Sequence, residues 1–534
     1  MKSIQSNITN IPSKSAQIPK IMTKPQTTYL GQKGYTLLKS ELSQDQIAKI
    51  KSDLSIKPYT PGMSGISSDK TYPAYRESAN KLYMPHYYGV SNFGSPKEIK
   101  IPAGDDVHMT FAGVLRENQV PVVKTYLDYV RQLGSGGGLI ELACAAGKTV
   151  DGLYIAAALQ KKTLIIVHKE FLMNQWIERI SQFIPNARVG RIQGQIIDIE
   201  NKDIVIGMLQ SLSMKDYPST MFDSFGLTII DEVHHISSEV FSKVLFKLVT
   251  KYMLGLSATM NRKDGTTNVF KMFLGDIIYK GKREDIHNVT VRSITYKTED
   301  VDFNRELTDF RGNPAYSSMI SKLCEYSHRS EFILRVIADM RAENPTQQIM
   351  VLAHNKNILK YIYDAIVHRN IATVGYYVGG MKEKALKETE TKEMVIATFA
   401  MASEALDIKT LTTLIMVTPK TDIEQSVGRI LRERHSNPVI VDIIDSHSTF
   451  QKQWIKRKAF YKKHKYNIIG TDSTIYQPDV SKWKTIYAGG LKRDTEEEDT
   501  QQEDTQEEED EEKDITNSGK CLIKLKPKPK PNPK

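Results

Sequence analysis

The chain has 534 residues, 40% of them hydrophobic and 25% charged, with a formal net charge of +10. That length exceeds what one core usually serves and predicts about three folded units, while no apolar run reaches the roughly 18 residues that a membrane span needs. Cys144, Cys324 and Cys521 show neither a disulfide framework nor zinc-ribbon spacing, which predicts a reducing, intracellular setting.

Residues 1–28 are rich in Ser, Thr, Lys and Gln and lack the compact apolar stretch of a secretory signal, so they read as a mobile basic arm. Residues 29–105 combine a helical pattern from Leu42 to Leu54 with turn-rich, tyrosine-rich segments such as Tyr83-Met-Pro-His-Tyr-Tyr-Gly89. They predict a small α+β accessory domain. Its tyrosines from Tyr72 to Tyr88 could stack bases, but a satisfied core is the favoured use.

Within residues 106–284 the apolar runs Thr163–Val167, Asp203–Ile206 and Leu227–Ile230 alternate with helical stretches. Such runs are the signature of strands buried on both faces of a parallel sheet. The rhythm returns over residues 285–470, in Gln348–Leu352, Met394–Thr398, Thr413–Val417 and Pro438–Val441, which predicts a second α/β unit in tandem. Past about Ile469 it fades, and residues 471–534 read as a disordered tail. That tail holds the acidic run Asp494–Asp514, fourteen acidic residues against one lysine, and then Lys526-Pro-Lys-Pro-Lys-Pro-Asn-Pro-Lys534. The preceding residues are therefore more basic than the whole chain. A basic body predicts an acidic polymer partner, although a solvated lysine-rich surface explains the charge equally well.

Three segments carry the chemistry. Leu142-Ala-Cys-Ala-Ala-Gly-Lys-Thr149 follows a strand-like Gly138–Leu142 and precedes a helical Val150–Leu159. In that setting Cys144, Ala145, Ala146 and Gly147 form a phosphate-binding loop, Lys148 meets the β and γ oxygens, and Thr149 ligates Mg²⁺. The strict motif carries glycine where Leu142 stands. Further on, the apolar strand Leu227–Ile230 ends in adjacent carboxylates. Metal-assisted phosphoryl transfer needs one carboxylate on Mg²⁺ and one on the attacking water, and Asp231 and Glu232 suit those roles. On a helix, Gln425, Arg429 and Arg432 would share one face, presenting an amide and two guanidinium groups to a transferring phosphoryl group.

Here a family resemblance becomes specific. Asp231-Glu-Val-His234 resembles the DExH box of superfamily 2 helicases, and other boxes follow in that family's order. Leu115-Arg-Glu-Asn-Gln119 resembles the segment that touches the adenine base. Gly207-Met-Leu-Gln-Ser-Leu212 resembles a strand-contacting box, and Gly255-Leu-Ser-Ala-Thr259 resembles the box that couples hydrolysis to movement through Ser257 and Thr259. Residues Ala397 to Asp407 resemble motif V, and Gln425-Ser-Val-Gly-Arg-Ile-Leu-Arg432 resembles motif VI. Ala145 and Ala405 stand where the family usually carries glycine. Gly255 to Gly265, with Arg262-Lys-Asp264, is similar to the XPB branch and to the transcription-release helicases of poxviruses and related large DNA viruses.

The resemblance implies an α/β architecture of two tandem RecA-like domains and an ATP-dependent motor on nucleic acid. Lys148, Thr149, Asp231 and Glu232 would line one wall of the ATP·Mg²⁺ cleft, and Gln425, Arg429 and Arg432 the other. His234 belongs to the box, and Asp407 would sense ribose. Gln210, Ser211, Thr398 and Glu404 would grip one nucleic-acid strand, mainly through phosphates. The expected task is DNA translocation in transcription or transcript release, with contacts to the transcription machinery and none to membranes. An RNA helicase and a non-hydrolysing nucleic-acid clamp are the alternatives. A viral source would place the chain in the host cytoplasm and in the virion.

Overall fold

The computed structural model describes residues 25–58, 71–143, 146–218, 220–236, 238–260, 265–281, 288–404, 408–431, 435 and 437–489. The arm over residues 1–24, Cys144, Ala145, Arg262 to Asp264, Ala405, Asp407, Arg432 and the tail from residue 490 lie outside the described residues, as do the side chains of His235 and Glu404. Among the described residues no helix is long and apolar enough to cross a membrane.

The chain enters a five-stranded sheet ordered Arg76–Glu77, Lys81–Met84, Gly34–Leu38, Thr28–Gly31, Glu98–Ile99. Thr28 is 3% exposed and pairs with Leu37, so the residue read as the end of an arm is already strand. Alternation sends Leu30, Tyr35, Leu37, Leu82 and Met84 to one face. There they meet Ile50 of helix Gln44–Asp53, and Tyr88 and Phe93 of helix His86–Phe93. A capping box starts the first helix: Gln46 N donates to Ser43 Oγ and Ser43 N to Gln46 Oε1. The tyrosines divide. Tyr72 and Tyr88 are buried, whereas Tyr83 is half-buried on the sheet face opposite Leu82 and Met84. Tyr87 Oη donates to Gly137 O at 3.0 Å, and Arg76 lies 5.2 Å from the Phe246 ring centre, which docks this unit on the next.

The second sheet has eight strands ordered Ile196–Ile197, Val189–Gln193, Ile204–Met208, Thr163–Val167, Leu227–Ile230, Tyr252–Ser257, Gly136–Glu141, Ile277–Lys280. Every pairing is parallel except that of the two-residue edge strand. Both faces are covered, which explains the unbroken apolar runs. Ile165 and Val167 pack toward helices Val120–Leu133, Lys148–Leu159 and Glu170–Phe183, while Leu164 and Ile166 pack toward Ser238–Leu245 and Thr267–Leu274.

The third sheet is ordered Val374–Tyr377, Met394–Thr398, Gln348–Ala353, Leu411–Met416, Val439–Asp445, Thr290–Tyr296, Asn467–Asp472, Lys484–Tyr487. It is parallel up to its last strand, which returns antiparallel. The expected tail from residue 471 is therefore corrected: the sheet continues to Tyr487, and Tyr476 and Trp483 meet edge to face in its core, their ring centroids 5.8 Å apart. The apolar rhythm stops sooner because Asn467-Ile-Ile-Gly-Thr-Asp472 lies near the sheet edge, where polar and small residues remain partly solvated. Two fully buried ion pairs brace this unit. Arg329 Nε is 2.6 Å from Asp445 Oδ1, and Arg457 Nε is 2.7 Å from Asp442 Oδ2.

Candidate active site

Leu227–Ile230, Tyr252–Ser257 and Gly136–Glu141 are adjacent and parallel, so the segments leaving their C-terminal ends lie side by side. Those segments hold Asp231 to His234, Ser257 to Thr259, and the loop to Lys148. Sheet topology thus gathers residues that are more than a hundred positions apart at its outer limits.

Gly147 caps helix Lys148–Leu159 with φ 98° and ψ 23°. The backbone angle demands glycine, and a Cβ there would stand 2.5 Å from Gln119 Nε2 and displace that amide. The first N–H groups of a helix lack intrahelical partners and favour an anion. Lys148 Nζ lies 3.3 Å from Glu232 Oε1 and donates to Leu142 O at 3.4 Å. Thr149 follows it in the first helical turn, half-buried. Ala146 lies just ahead of Gly147 and packs against the adjoining core.

Gln119 is 3% exposed and braces this loop. Its Nε2 donates to Gly147 O at 3.3 Å and Asp151 Oδ1 at 2.8 Å, and its Oε1 accepts from Arg116 N at 3.1 Å. The amide therefore faces the loop in this arrangement. Asp151 escaped sequence reasoning. It is fully buried, and burial pushes its carboxyl up to about 7. An aspartate on the apolar face of the helix that follows Gly-Lys-Thr was the signal that could have found it.

Asp231 is buried, and Trp176 Nε1 donates to its Oδ2 at 2.8 Å. Burial and the neighbouring Glu232 charge both raise the Asp231 carboxyl above its usual range. Glu232 has φ 48° and ψ 53°, a left-handed conformation that costs a non-glycine residue on the order of 1 kcal/mol or more. This turn aims its carboxylate at Lys148. Trp176 was also missed; its indole N–H, once buried, requires an acceptor, which is the physical reason it finds Asp231.

His234 Nδ1 is 2.6 Å from Ser257 Oγ, and Ser257 Oγ donates to Thr259 O at 2.6 Å. His234 Nε2 is 2.9 Å from Gln425 Nε2, a contact between the second and third sheets' units. Arg429, 6% exposed, follows Gln425. The continuous helix expected from Gln425 to Arg429 does not form: the α-helix spans only Glu424–Val427, and residues 428–431 continue as turns, with Arg432 outside the described residues. Arg429 N bonds back three residues to Ser426 O rather than four. Gly428 and the β-branched Val427 and Ile430 are poor helix formers, which explains the early stop.

Gln210 and Ser211 open helix Leu209–Met214 directly after strand Ile204–Met208, and Thr398 ends strand Met394–Thr398 directly before helix Phe399–Glu404. The two units thus place these residues at matching strand ends. Gln210 is exposed, and Ser211 Oγ accepts from Gly194 N at 2.9 Å.

A family model described as type III restriction enzyme, res subunit, matches residues 113–262. A protein of Acanthamoeba polyphaga mimivirus, named as an ATP-dependent RNA helicase, is 35% identical over 456 residues, covering 82% of this chain and 85% of its own. This chain belongs to the superfamily 2 helicases of large DNA viruses. A protein of Invertebrate iridescent virus 6 named as a helicase is 26% identical over 400 residues, covering 70% of this helicase and 86% of its own chain. Among solved structures, the Hef helicase domain of Pyrococcus furiosus aligns with 65% of this helicase and all of its own chain, at 12% identity and a TM-score of 0.45. The helicase is an ATP-dependent enzyme acting on nucleic acid, with two RecA-like α/β domains.

Proposed function

We propose that the helicase hydrolyses ATP·Mg²⁺ between its two RecA-like domains and acts on DNA in transcription or transcript release. The Gln425 to His234 contact carries the reading of the cleft, because it sets a second-domain side chain against the carboxylate wall of the first. On one wall Lys148 would hold the β and γ phosphates. Thr149 and Asp231 suit Mg²⁺: a hydroxyl and a carboxylate are suitable oxygen donors, and the crowding of the Asp231 and Glu232 carboxylates calls for positive charge. When bound, the ion would neutralise charge on the phosphate oxygens. Glu232 would orient the attacking water, and Arg429 and Arg432 would stabilise charge on the transferring group. Cys144, Ala145, Ala146 and Gly147 would offer backbone N–H groups to the phosphates, and Asp407 would sense ribose. His234, Ser257 and Thr259 would couple this chemistry to the strand-end residues Gln210, Ser211, Thr398 and Glu404, which would grip the nucleic-acid backbone.

The resemblance of Gly255 to Gly265 to the XPB branch supports DNA. A second reading, an RNA substrate, is favoured by the name of the mimivirus relative. Hydrolysis by the wild-type chain and by Lys148→Ala, measured alone and with single-stranded DNA, duplex DNA or RNA, separates them. Stimulation by DNA that vanishes in the variant is the expected result. Stimulation by RNA alone would transfer the assignment to RNA, and no hydrolysis at all would leave a nucleic-acid clamp.

A further inference from the structure

Among the described residues, no helix packs on the outer face of the N-terminal sheet. In register across it stand Arg76, Tyr83, Thr36, Tyr29 and Glu98, one from each strand. Arg76 turns away to Phe246 at one end. Tyr29 and Tyr83 are two strands apart, roughly 10 Å at the backbone. Thr36, 1% exposed, floors the gap between them. A groove of about 400 Å³ opens there, walled by Tyr29, Tyr83, Lys33 and Lys100, with Asp223 of the next unit at its margin, where its carboxylate accepts from Gln32.

Three lysines ride on the two rings. Lys33 Nζ is 5.5 Å from the Tyr83 centroid, while Lys81 and Lys100 stand 5.3 Å and 4.7 Å from that of Tyr29. Lys100 also pairs with Glu98 at 3.0 Å, whereas Lys33 and Lys81 meet no carboxylate within ion-pair distance among the described residues. The tight hairpin at Gly34, φ 96°, brings Lys33 over the groove; a Cβ there would fall 2.3 Å from Met84 O. Nothing in the core needs these two rings, since Leu30, Tyr35, Leu82 and Met84 fill the other face.

From this juxtaposition we infer that the outer face of the N-terminal sheet binds single-stranded nucleic acid, its bases on Tyr29 and Tyr83 and its phosphates on Lys33, Lys81 and Lys100. Aromatic rings interleaved with cations on an open sheet are what stacked bases and their backbone require. An acidic peptide, such as the run Asp494–Asp514, would use the lysines but gain nothing from two ring faces. The groove borders Asp223, ahead of strand Leu227–Ile230, whereas Asp231 and Glu232 follow that strand's other end, so the face would hold a strand at a distance from the proposed ATP site while the motor moves.

The test uses the full chain and fluorescein-labelled oligothymidylate and oligouridylate, with binding followed by anisotropy at low and high salt. Tyr29→Ala and Tyr83→Ala should each weaken binding on the order of tenfold, and Tyr29→Phe and Tyr83→Phe should largely restore it. Lys33→Glu with Lys100→Glu should weaken binding and flatten its salt dependence, whereas Lys49→Glu, on the exposed side of helix Gln44–Asp53, should not. Thermal melting checks that each variant folds. Unchanged affinity in the folded double alanine variant would overturn the inference, as would an equal loss from Lys49→Glu. A carbodiimide cross-link from Lys33 or Lys100 to the acidic run, undiminished by saturating oligonucleotide, would assign the face to the tail instead. The stronger response between the two oligonucleotides identifies the sugar.

Discussion

Gln425 Nε2 lies 2.9 Å from His234 Nε2, and this contact fixes a direction through the coupling residues. The amide nitrogen is a donor, so the ring Nε2 accepts and the ring proton sits on Nδ1. Nδ1–H then donates to Ser257 Oγ, which donates to Thr259 O, both at 2.6 Å. Donors therefore run one way, from the second RecA-like domain into the loop that follows strand Tyr252–Ser257. Gln425→Ala and His234→Ala should each cut nucleic-acid-stimulated hydrolysis, and the double variant should lose little more than either. The coupling energy from such a cycle is expected at about 1–3 kcal/mol. Simple additivity of the two losses would show that the contact couples nothing.

Trp176 offers a separate handle on the proposed metal position. Its indole N–H holds Asp231 Oδ2 at 2.8 Å, while its ring is buried in the core. Groups that orient a metal ligand typically matter by about 10-fold to 100-fold in metal affinity or activity. Trp176→Phe keeps most of the packing and removes the hydrogen bond. The Mg²⁺ concentration for half-maximal hydrolysis should then rise about 10-fold. An unchanged magnesium dependence in a folded variant would separate Asp231 from the metal.

What could be read from sequence follows from locality. Thr163–Val167 and Leu227–Ile230 were legible because strands buried on both faces have no polar alternation to confuse them. Lys484–Tyr487 was not, since three of its four residues are exposed and it contributes pairing rather than core. Lys148 and Glu232 announce themselves by local motifs, and their 3.3 Å approach follows once neighbouring parallel strands are assumed. The links from Trp176 to Asp231 and from Gln119 to Asp151 join different elements, with nothing local to mark them. The helix expected from Gln425 stops at Val427 for a local reason that was present in the sequence: Gly428 follows its first turn.

The buried pair Arg329 and Asp445 predicts a large and asymmetric stability effect. Arg329 Nη2 also donates to Val417 O at 2.8 Å, so one guanidinium ties the third-sheet strand Val439–Asp445 to the segment after Leu411–Met416. Arg329→Met leaves the Asp445 carboxylate buried without its cation and should cost about 3–5 kcal/mol. Arg329→Met combined with Asp445→Leu should recover most of that loss, because two apolar groups avoid the desolvation of two charges. Denaturant unfolding of the three variants reads this directly. A double variant as unstable as Arg329→Met alone would point to the Val417 hydrogen bond as the main contribution.

His86 predicts an acid-side weakening of the N-terminal domain. Burial lowers its pKa to about 4, and its place at the first residue of helix His86–Phe93 adds a dipole that disfavours the cation. In the unfolded chain the imidazole titrates near 6.5. Between these values the unfolded state carries a proton that the folded state refuses, so stability falls as pH drops from about 6.5 to about 4 and then levels off. The full loss is on the order of 3 kcal/mol. His86→Phe removes the titration and keeps an aromatic ring beside Tyr87, whose centroid lies 4.4 Å from that of His86. Relative to wild type, this variant should therefore gain stability as the solution is acidified through that window. Parallel pH dependences for the two proteins, followed by denaturant unfolding, would mean that His86 is protonated in the folded domain.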